Sequence, residues 1–204
     1  MNCFQGGQKG VKKLIWDLRY LARTIRAFKM KTKTYVLSLC LIISITFNSM
    51  AQIPELQAVP HVDVKKYSGK WYEIASFPQI FQKGCHCTSA EYIMTDRGYL
   101  IVENRCNRDS INGKQSYIKG KAFVEKNSGN AKLKVQFFFP FRAKYWIIDL
   151  ADDYSYAVVS HPNRKYLWIL SRTPKMNDSV YQQILFRLKE KGFDLAKLQV
   201  TPQI

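Results

Sequence analysis

Short segments in which apolar and polar residues alternate, separated by turn sequences, most constrain how residues 69–171 can fold. Alternation places every second side chain on the same face of a β-strand. It is clearest in residues 131–139, where the apolar positions are Leu133, Val135, Phe137 and Phe139. Turn sequences of the kind that join hairpins follow at 96–98, 112–113 and 128–130. The pattern predicts eight strands, at 71–77, 85–94, 99–106, 115–125, 131–139, 145–150, 154–160 and 166–171.

The spacing of apolar residues becomes helical after residue 177. Asn177 or Asp178 can cap the helix, and Lys191-Gly192 ends it. Its apolar stripe consists of Val180, Ile184, Leu185 and Leu188. Val200 ends a last short strand. Eight sequential strands without a long crossover predict an all-β fold: an eight-stranded antiparallel up-and-down β-barrel with a C-terminal α-helix. A β-sandwich is the alternative.

The first 51 residues have the pattern of a secretion signal that follows an upstream extension. Basic residues precede an apolar run at 35–47, and small residues before position 52 suit cleavage after Ala51. We expect an upstream extension or start-site error at 1–29, a signal peptide at 30–51 and a mature domain at 52–204. The alternative for 1–29 is a long basic leader or a membrane-surface helix. Because Leu39 stands where a lipoprotein signal needs a small residue before Cys40, we expect a soluble exported protein.

Positive charge is concentrated in the predicted leader. The whole chain carries a formal charge of +17, but residues 1–51 hold nine Lys/Arg and one acid, which leaves +9 in residues 52–204. A basic surface favours anionic membrane surfaces or anionic ligands. No nucleic-acid-binding motif accompanies it, so we expect no nucleic-acid partner. The sequence does not specify an oligomeric state.

Three cysteines remain in the mature domain, which permits one disulfide and leaves one thiol free. Cys85-His86-Cys87 is too tightly spaced for a zinc site, and we expect no metal. A two-residue turn at Asp96-Arg97 would place Cys87 opposite Cys106. A β-bulge would change that register, so the partner of Cys106 stays open between Cys85 and Cys87.

Three segments together resemble the motifs of the lipocalin family. They are Gly69-Lys70-Trp71-Tyr72-Glu73, Asp153-Tyr154-Ser155-Tyr156-Ala157 and the stretch 167–174, which contains Arg172. The branch it resembles includes bacterial outer-membrane lipocalins, apolipoprotein D and plant temperature-induced lipocalins, through stretches such as 62–67, 81–85 and 145–150. The resemblance covers residues 60–203. It favours Cys85 as the partner of Cys106.

The resemblance also implies roles for the motif residues. Trp71 is expected to close the narrow end of the barrel, with Arg172 across its indole ring as a cation–π pair. Gly69, Asp153 and Tyr154 are expected to be structural. A periplasmic or outer-membrane-associated location follows from the same resemblance.

By resemblance, the function is to carry small hydrophobic ligands, most simply fatty acids or lysophospholipids, with no cofactor. The residues expected to line the barrel are Ala90, Tyr92, Val102, Ala122, Val135, Phe137, Phe139, Tyr156 and Trp168. Gly120 and Ala122 are small and are expected to leave room for the ligand. At the open end we expect Phe77, Ile80 and Phe81 in one loop, and Phe139 with Arg142 and Lys144 in another. These residues are expected to contact a membrane surface or a ligand head group.

Two other functions would use cysteine or histidine side chains of the same domain. An enzyme would use a free cysteine, Cys85 or Cys87, with His86 or His161 as the base. A haem carrier would use His86 or His161 as an axial ligand. Strand parity directs both cysteines outward, so we expect no catalytic residue.

Overall fold

The computed structural model describes Arg23, Thr24, Arg26, Lys29 and residues 53–204. The four early residues are helical and exposed. The expected signal peptide at 30–51 lies outside the described residues. The chain divides into two compact units, Met1–Gln52 and Ile53–Ile204, and the second is the domain discussed below.

Residues 69–171 form a closed barrel of eight antiparallel strands. Each strand pairs with the next along the chain, and β1 pairs with both β2 and β8, which closes the barrel. The strands are β1 Gly69–Ser76, β2 Cys85–Met94, β3 Leu100–Arg108, β4 Gln115–Val124, β5 Lys132–Gln136, β6 Ala143–Leu150, β7 Tyr156–Ser160 and β8 Leu167–Ser171. A short β9, Gln199–Val200, adds to β1. The predicted barrel and its last short strand are confirmed.

Two helices flank the barrel. Helix α1, Val64–Tyr67, begins at Asp63, whose carboxylate accepts hydrogen bonds from the backbone N–H groups of Lys65 and Lys66. The sequence analysis did not predict this single turn. Helix α2, Asp178–Glu190, is the predicted C-terminal helix, and Asn177 caps it by accepting a hydrogen bond from the Ser179 N–H at 2.9 Å.

The predicted strand at 131–139 is three residues too long at its end. Strand β5 ends at Gln136, and the Phe141 N–H donates to the Phe138 carbonyl in the turn that follows. Because Val135 pairs with Ala143, the chain between them must reverse direction. Phe138 and Phe139 are therefore exposed, at 70% and 90% of their surface.

The apolar core has two parts, one inside the barrel and one between the barrel and α2. The outer part packs Ile184 and Leu188 of α2 against Val158 and Ile169. The inner part contains these fully buried residues: Val62, Tyr67, Trp71, Tyr92, Leu100, Val102, Ala122, Ala131, Leu133, Val135, Ile147, Ala157, Val159 and Leu170. Alternation along each strand separates the two parts.

A bulge in β1 reverses which residues face the interior. Glu73 pairs with Leu170, an interior residue, whereas Ala75 pairs with Ile169, which packs beneath α2. The extra residue between them, Ile74, interrupts the alternation. Trp71 and Glu73 therefore face the interior, and Ala75 faces α2.

Candidate ligand-binding site

Trp71 and Arg172 close one end of the barrel. The Trp71 indole is fully buried, and its Nε1 donates to the Tyr67 carbonyl at 2.8 Å. The guanidinium carbon of Arg172 lies 3.7 Å from the centroid of a Trp71 ring, so the expected cation–π contact is present. The guanidinium also donates to the carbonyls of Lys66, Tyr67, Lys70 and Tyr154.

The other motif residues shape the same end. Gly69 has a φ of +93°, and an added Cβ would lie 3.5 Å from Arg172 Nη1. Asp153 accepts a hydrogen bond from the Ser155 N–H, and hydrogen bonding by the Ser155 side chain and backbone lowers the pKa of the Asp153 carboxyl. The Tyr154 hydroxyl accepts from the Asp63 N–H at 2.8 Å, which holds α1 against the barrel.

Three tyrosine hydroxyls form a hydrogen-bonded chain above this floor. Tyr145 is in the centre, 2.8 Å from the Tyr67 hydroxyl and 2.7 Å from the Tyr92 hydroxyl. Burial raises the pKa of all three phenols, so they stay neutral at physiological pH. The sequence analysis selected only Tyr92 of the three. Strand alternation could have identified Tyr145, because it is two residues before Ile147, which is buried inside the barrel.

Seven of the expected lining residues do face the interior. The set comprises Ala90, Tyr92, Val102, Ala122, Val135, Phe137 and Trp168. Towards the open end, Phe137 and Trp168 are only half-buried, and Ala90, which pairs with Trp71 nearer the closed end, is half-buried as well. The Trp168 ring stacks on Tyr145 and Tyr166, with centroids 6.5 and 6.3 Å apart. This open half of the interior is the candidate binding site.

Gly120 does not leave the open space that we expected. A Cβ added to Gly120 would lie 2.7 Å from Cδ1 of Phe137 and 2.6 Å from the Gln136 carbonyl oxygen. The Phe137 ring therefore lies over Gly120 and occupies the room that the missing side chain provides.

Tyr156 and Phe77 do not line the barrel. Ala157 and Val159 of β7 are interior residues, so Tyr156 points outward, where its hydroxyl accepts from Arg187 Nη2 at 2.9 Å. Phe77 lies beyond the bulge in β1 and packs against Phe193, with ring centroids 6.2 Å apart. The lining role expected for Tyr156 and the open-end loop role expected for Phe77 were both wrong, because each side chain packs in the outer core beneath α2.

The remaining predicted residues lie on exposed loops. Phe81 is 63% exposed in a short 3₁₀ turn, Ile80–Gln82, and Phe139 is 90% exposed after β5. Neither belongs to the barrel lining, and for Phe139 this corrects the strand-based expectation. The guanidinium of Arg142 lies 4.0 Å from the Phe123 ring centroid, and Lys144 is exposed. Because Phe123 follows inward-facing Ala122, its ring lies on the outer face of the barrel, and Arg142 stacks on it there.

A polar network that the sequence analysis missed lies beside Trp168. Glu73 is 5% exposed, and its carboxylate accepts hydrogen bonds from Gln82 Nε2, Ser76 Oγ and Thr201 Oγ1 at 2.8, 2.9 and 2.6 Å. The Gln82 Oε1 in turn accepts from Trp168 Nε1 at 3.2 Å. Strand alternation could have identified Glu73 as an interior residue, because it is two residues after inward-facing Trp71 and lies on the same face of β1.

The disulfide joins Cys85 to Cys106. A bulge between His86 and Ser89 shifts the pairing of β2 with β3, so Cys87 does not lie opposite Cys106 as a simple two-residue turn would require. Cys87 is the free thiol. The Cys87 Sγ lies 4.0 Å from the Ile111 carbonyl oxygen, and no imidazole hydrogen bond reaches it among the described residues. In the same part of the chain, no group of three or more His, Cys, Asp or Glu side chains is placed to hold a metal ion.

Two grooves lie outside the barrel. One, of about 490 Å³, is bounded by Met176 and Tyr181 near α2 and by Val200 and Pro202 of the C-terminal segment. The other, of about 330 Å³, lies between Leu56 and Arg187. Among the described residues, no helix has the length and apolar content needed to cross a bilayer.

Comparison with known proteins decides the family. The model of the lipocalin-like domain matches residues 62–203. The chain belongs to the lipocalin family. Temperature-induced lipocalin-1 of Arabidopsis thaliana is 39% identical over 163 residues, 76% of this lipocalin and 86% of the relative. Outer membrane lipoprotein Blc of Escherichia coli K12 is 43% identical over 140 residues, 68% of this chain and 78% of the relative.

More distant relatives agree with this placement. Mouse apolipoprotein D is 35% identical over 164 residues, which span 76% of this lipocalin and 84% of the relative. The solved structure of insecticyanin from the tobacco hornworm superimposes with a TM-score of 0.60 at 22% identity, and covers 74% of this chain and 86% of its own. At that identity the likeness concerns the fold. Lipocalins are a family of barrels that bind small hydrophobic ligands, which directs attention to the open half of this barrel.

Proposed function

We propose that this lipocalin is an exported carrier of acyl lipids, either fatty acids or lysophospholipids, that serves envelope lipid maintenance or stress. The observation that carries this proposal is the apolar, half-buried wall at the open half of the barrel, formed by Phe137 and Trp168. An acyl chain would enter between these residues, towards buried Val102 and Val135. The carrier works by reversible burial of the acyl chain, without a catalytic step.

Apolar burial is sufficient to hold such a ligand. Each methylene removed from water contributes about 0.8 kcal/mol. Ten methylenes therefore contribute about 8 kcal/mol, which corresponds to a dissociation constant of roughly 1 μM before the costs of ordering. No cofactor or metal is needed for this mechanism.

We further propose that the open end contacts an anionic membrane surface, where ligand is exchanged. The β1–β2 and β5–β6 loops lie at the same end because odd-numbered strands of an up-and-down barrel run in one direction. They expose Ile80, Phe81, Phe139 and Phe141, at 96%, 63%, 90% and 77%. Lys83, Arg142 and Lys144 are exposed beside them. Apolar side chains flanked by cations suit a bilayer surface with anionic lipids.

The proposed location is the periplasm or the outer membrane, with the mature protein soluble rather than lipid-anchored. The support is the leader-like sequence at 30–51 and the similarity to relatives named outer membrane lipoproteins. The proposed absence of catalysis is supported by the use of Cys85 in the disulfide and by the lack, among the described residues, of a hydrogen bond between the Cys87 thiol and an imidazole.

The test is a native mass spectrum of protein made in an exporting host and purified without detergent. We expect one lysophospholipid or fatty acid per protein, either co-purified or after addition of each lipid. Ala90→Trp places a large ring inside the barrel and should abolish the adduct. Ile93→Trp places the same ring on the outer face of the same strand, where Ile93 is 39% exposed, and should retain it. No adduct with either lipid, or equal adducts in both variants, would overturn the proposal.

A further inference from the structure

We propose that Glu73 selects the polar end of the ligand, against carboxylates and in favour of hydroxyl or ammonium groups. This inference rests on the proposed function, because it requires an acyl chain in the barrel. It chooses between the two lipid classes named above: a head group with uncharged hydroxyls or an amine is accepted, and a free fatty acid is disfavoured.

Glu73 is a buried carboxylate without a cationic partner. Alternation with Trp71 directs Glu73 to the interior, and its three hydrogen-bond donors, from Ser76, Gln82 and Thr201, are all neutral. The ion pairs found among the described residues do not include Glu73. A carboxylate therefore lies in the wall of the candidate site, and no lysine or arginine of the described residues forms an ion pair with it.

The carboxylate has acceptor capacity left. Two carboxylate oxygens accept about four hydrogen bonds. Oε1 accepts from Ser76 and Thr201, whereas Oε2 accepts only from Gln82. A hydroxyl or ammonium group of a ligand can use the remaining position.

Two unpartnered polar groups extend this polar strip across the neighbouring strands. Thr88 is 7% exposed and lies beside Glu73, because the Gln203 amide donates to the carbonyls of both residues at 2.7 and 3.0 Å. Asn104 pairs with inward-facing Ala90, two residues from Thr88. Thr88 Oγ1 and Asn104 Oδ1 are buried and have no hydrogen-bond partner in the part of the chain that the structure describes. Buried polar atoms of this kind cost free energy unless a ligand or water satisfies them.

The strip lies between the closed end and the open half of the barrel. Glu73 is two residues from Trp71 along β1, and Asn104 reaches the level of Trp71, because both Asn104 and Trp71 pair with Ala90. Gln82 links the Glu73 carboxylate to the Trp168 indole at the open half. A ligand whose polar end enters the barrel would therefore place it near Glu73.

Charge decides which polar ends fit. A fatty-acid carboxylate at this depth would face the Glu73 carboxylate in a low dielectric, where like charges repel strongly. The hydroxyls of a monoacylglycerol or of a lysophospholipid backbone would donate to Glu73 and Thr88 instead. A long-chain amine would supply the missing positive charge.

The test compares three ligands of equal chain length on the full chain: laurate, monolauroylglycerol and dodecylamine, by calorimetry at neutral pH. Wild type should bind the glycerol ester and the amine about tenfold or more tightly than laurate, equivalent to about 1.4 kcal/mol. Glu73→Gln keeps the shape of the side chain and should raise laurate affinity while lowering amine affinity. Glu91→Gln removes a carboxylate from the outer face and should leave all three affinities unchanged.

The outcomes separate the two proposals. If laurate binds wild type as tightly as the other ligands, or if Glu73→Gln leaves the ratios unchanged, Glu73 does not select the head group. If none of the three binds wild type, the acyl-carrier function itself fails. Should Glu73→Gln not fold, Thr88→Val provides the second measurement: we expect a several-fold loss of glycerol-ester affinity with laurate unchanged. Equal losses for both ligands would contradict the inference.

Discussion

At the scale of single residues, the buried tyrosine chain makes stability depend on alkaline pH. Burial raises the pKa of Tyr67, Tyr92 and Tyr145 above that of an unfolded tyrosine, which is about 10. The unfolded chain therefore loses these protons first. The stabilisation is fully present below about pH 10 and is lost as the pH rises towards the folded-state values.

We therefore expect the free energy of unfolding in urea to fall steeply above about pH 10. Tyr92→Phe should make this fall shallower by about one proton. Tyr166→Phe is the control, because Tyr166 is 40% exposed and lies outside the chain of hydroxyls. An unchanged slope in Tyr92→Phe would contradict the assignment.

Arg172 is the second residue whose loss should be costly. Its guanidinium donates to four backbone carbonyls and covers Trp71, and a lysine cannot reproduce this planar set of donors. We expect Arg172→Lys to lower the free energy of unfolding by about 3 kcal/mol. Arg105→Lys, in a half-exposed ion pair with Glu103, should cost less than about 1 kcal/mol. Equal costs would show that Arg172 acts only as a surface charge.

Single bulges explain most of what sequence could not predict at this scale. The alternation of residues correctly placed Val102, Ala122 and Val135 inside the barrel. It did not reveal that Phe77 packs against Phe193, because the extra residue at Ile74 has no compositional signature. It also left Glu73 unnoticed, since a glutamate in a strand is ordinarily taken for a solvent-facing residue.

At the scale of elements, the disulfide fixes the start of β2 against the end of β3. Cys85 and Cys106 are separated by 21 residues along the chain. Closing a loop of this length restricts the unfolded chain by about 3 kcal/mol. We expect Cys106→Ser to lower the free energy of unfolding by about that amount in urea.

The control for this prediction is Cys87→Ser. Cys87 is half-buried with a free thiol, and its exchange for serine should change the free energy of unfolding by less than about 1 kcal/mol. A comparable loss in Cys87→Ser would mean that the two cysteines exchange as partners of Cys106. Strand register alone left the partner of Cys106 open between Cys85 and Cys87, because a bulge cannot be located from the sequence of a hairpin.

Element boundaries were predictable where a turn sequence or a helix cap marks them. The residues Cys85–Met94 of β2 and the start of α2 after Asn177 agree with the sequence-based boundaries. The end of β5 does not, because three phenylalanines continue the apolar composition after strand pairing has ceased. Composition indicates which conformation a residue prefers, whereas pairing with the neighbouring strand determines where a strand ends.

At the scale of the whole molecule, the distribution of exposed apolar residues distinguishes one end of the barrel. The double substitution Phe139→Ser and Phe141→Ser should weaken binding to vesicles containing phosphatidylglycerol by about tenfold or more, since each phenylalanine contributes roughly 1.5–3 kcal/mol when buried. Lysophospholipid binding in the absence of vesicles should be unchanged. Co-sedimentation with vesicles measures the effect.

The control is Phe186→Ser, which removes an exposed phenylalanine from α2, where Phe186 is 63% exposed. It should leave vesicle binding intact. Equal losses in both variants would mean that vesicles attract any exposed aromatic side chain, and would contradict a membrane-facing open end.

The central claim is that the acyl chain lies inside the open half of the barrel. A crystal of the protein with a lysophosphatidylcholine that carries bromine at the end of its acyl chain tests this claim most directly, through the anomalous signal of the bromine. We expect one peak inside the barrel, within about 4 Å of Val102 or Phe137. A peak in the outer groove between Tyr181 and Val200, or no ordered bromine in a crystal saturated with lipid, would contradict the claim.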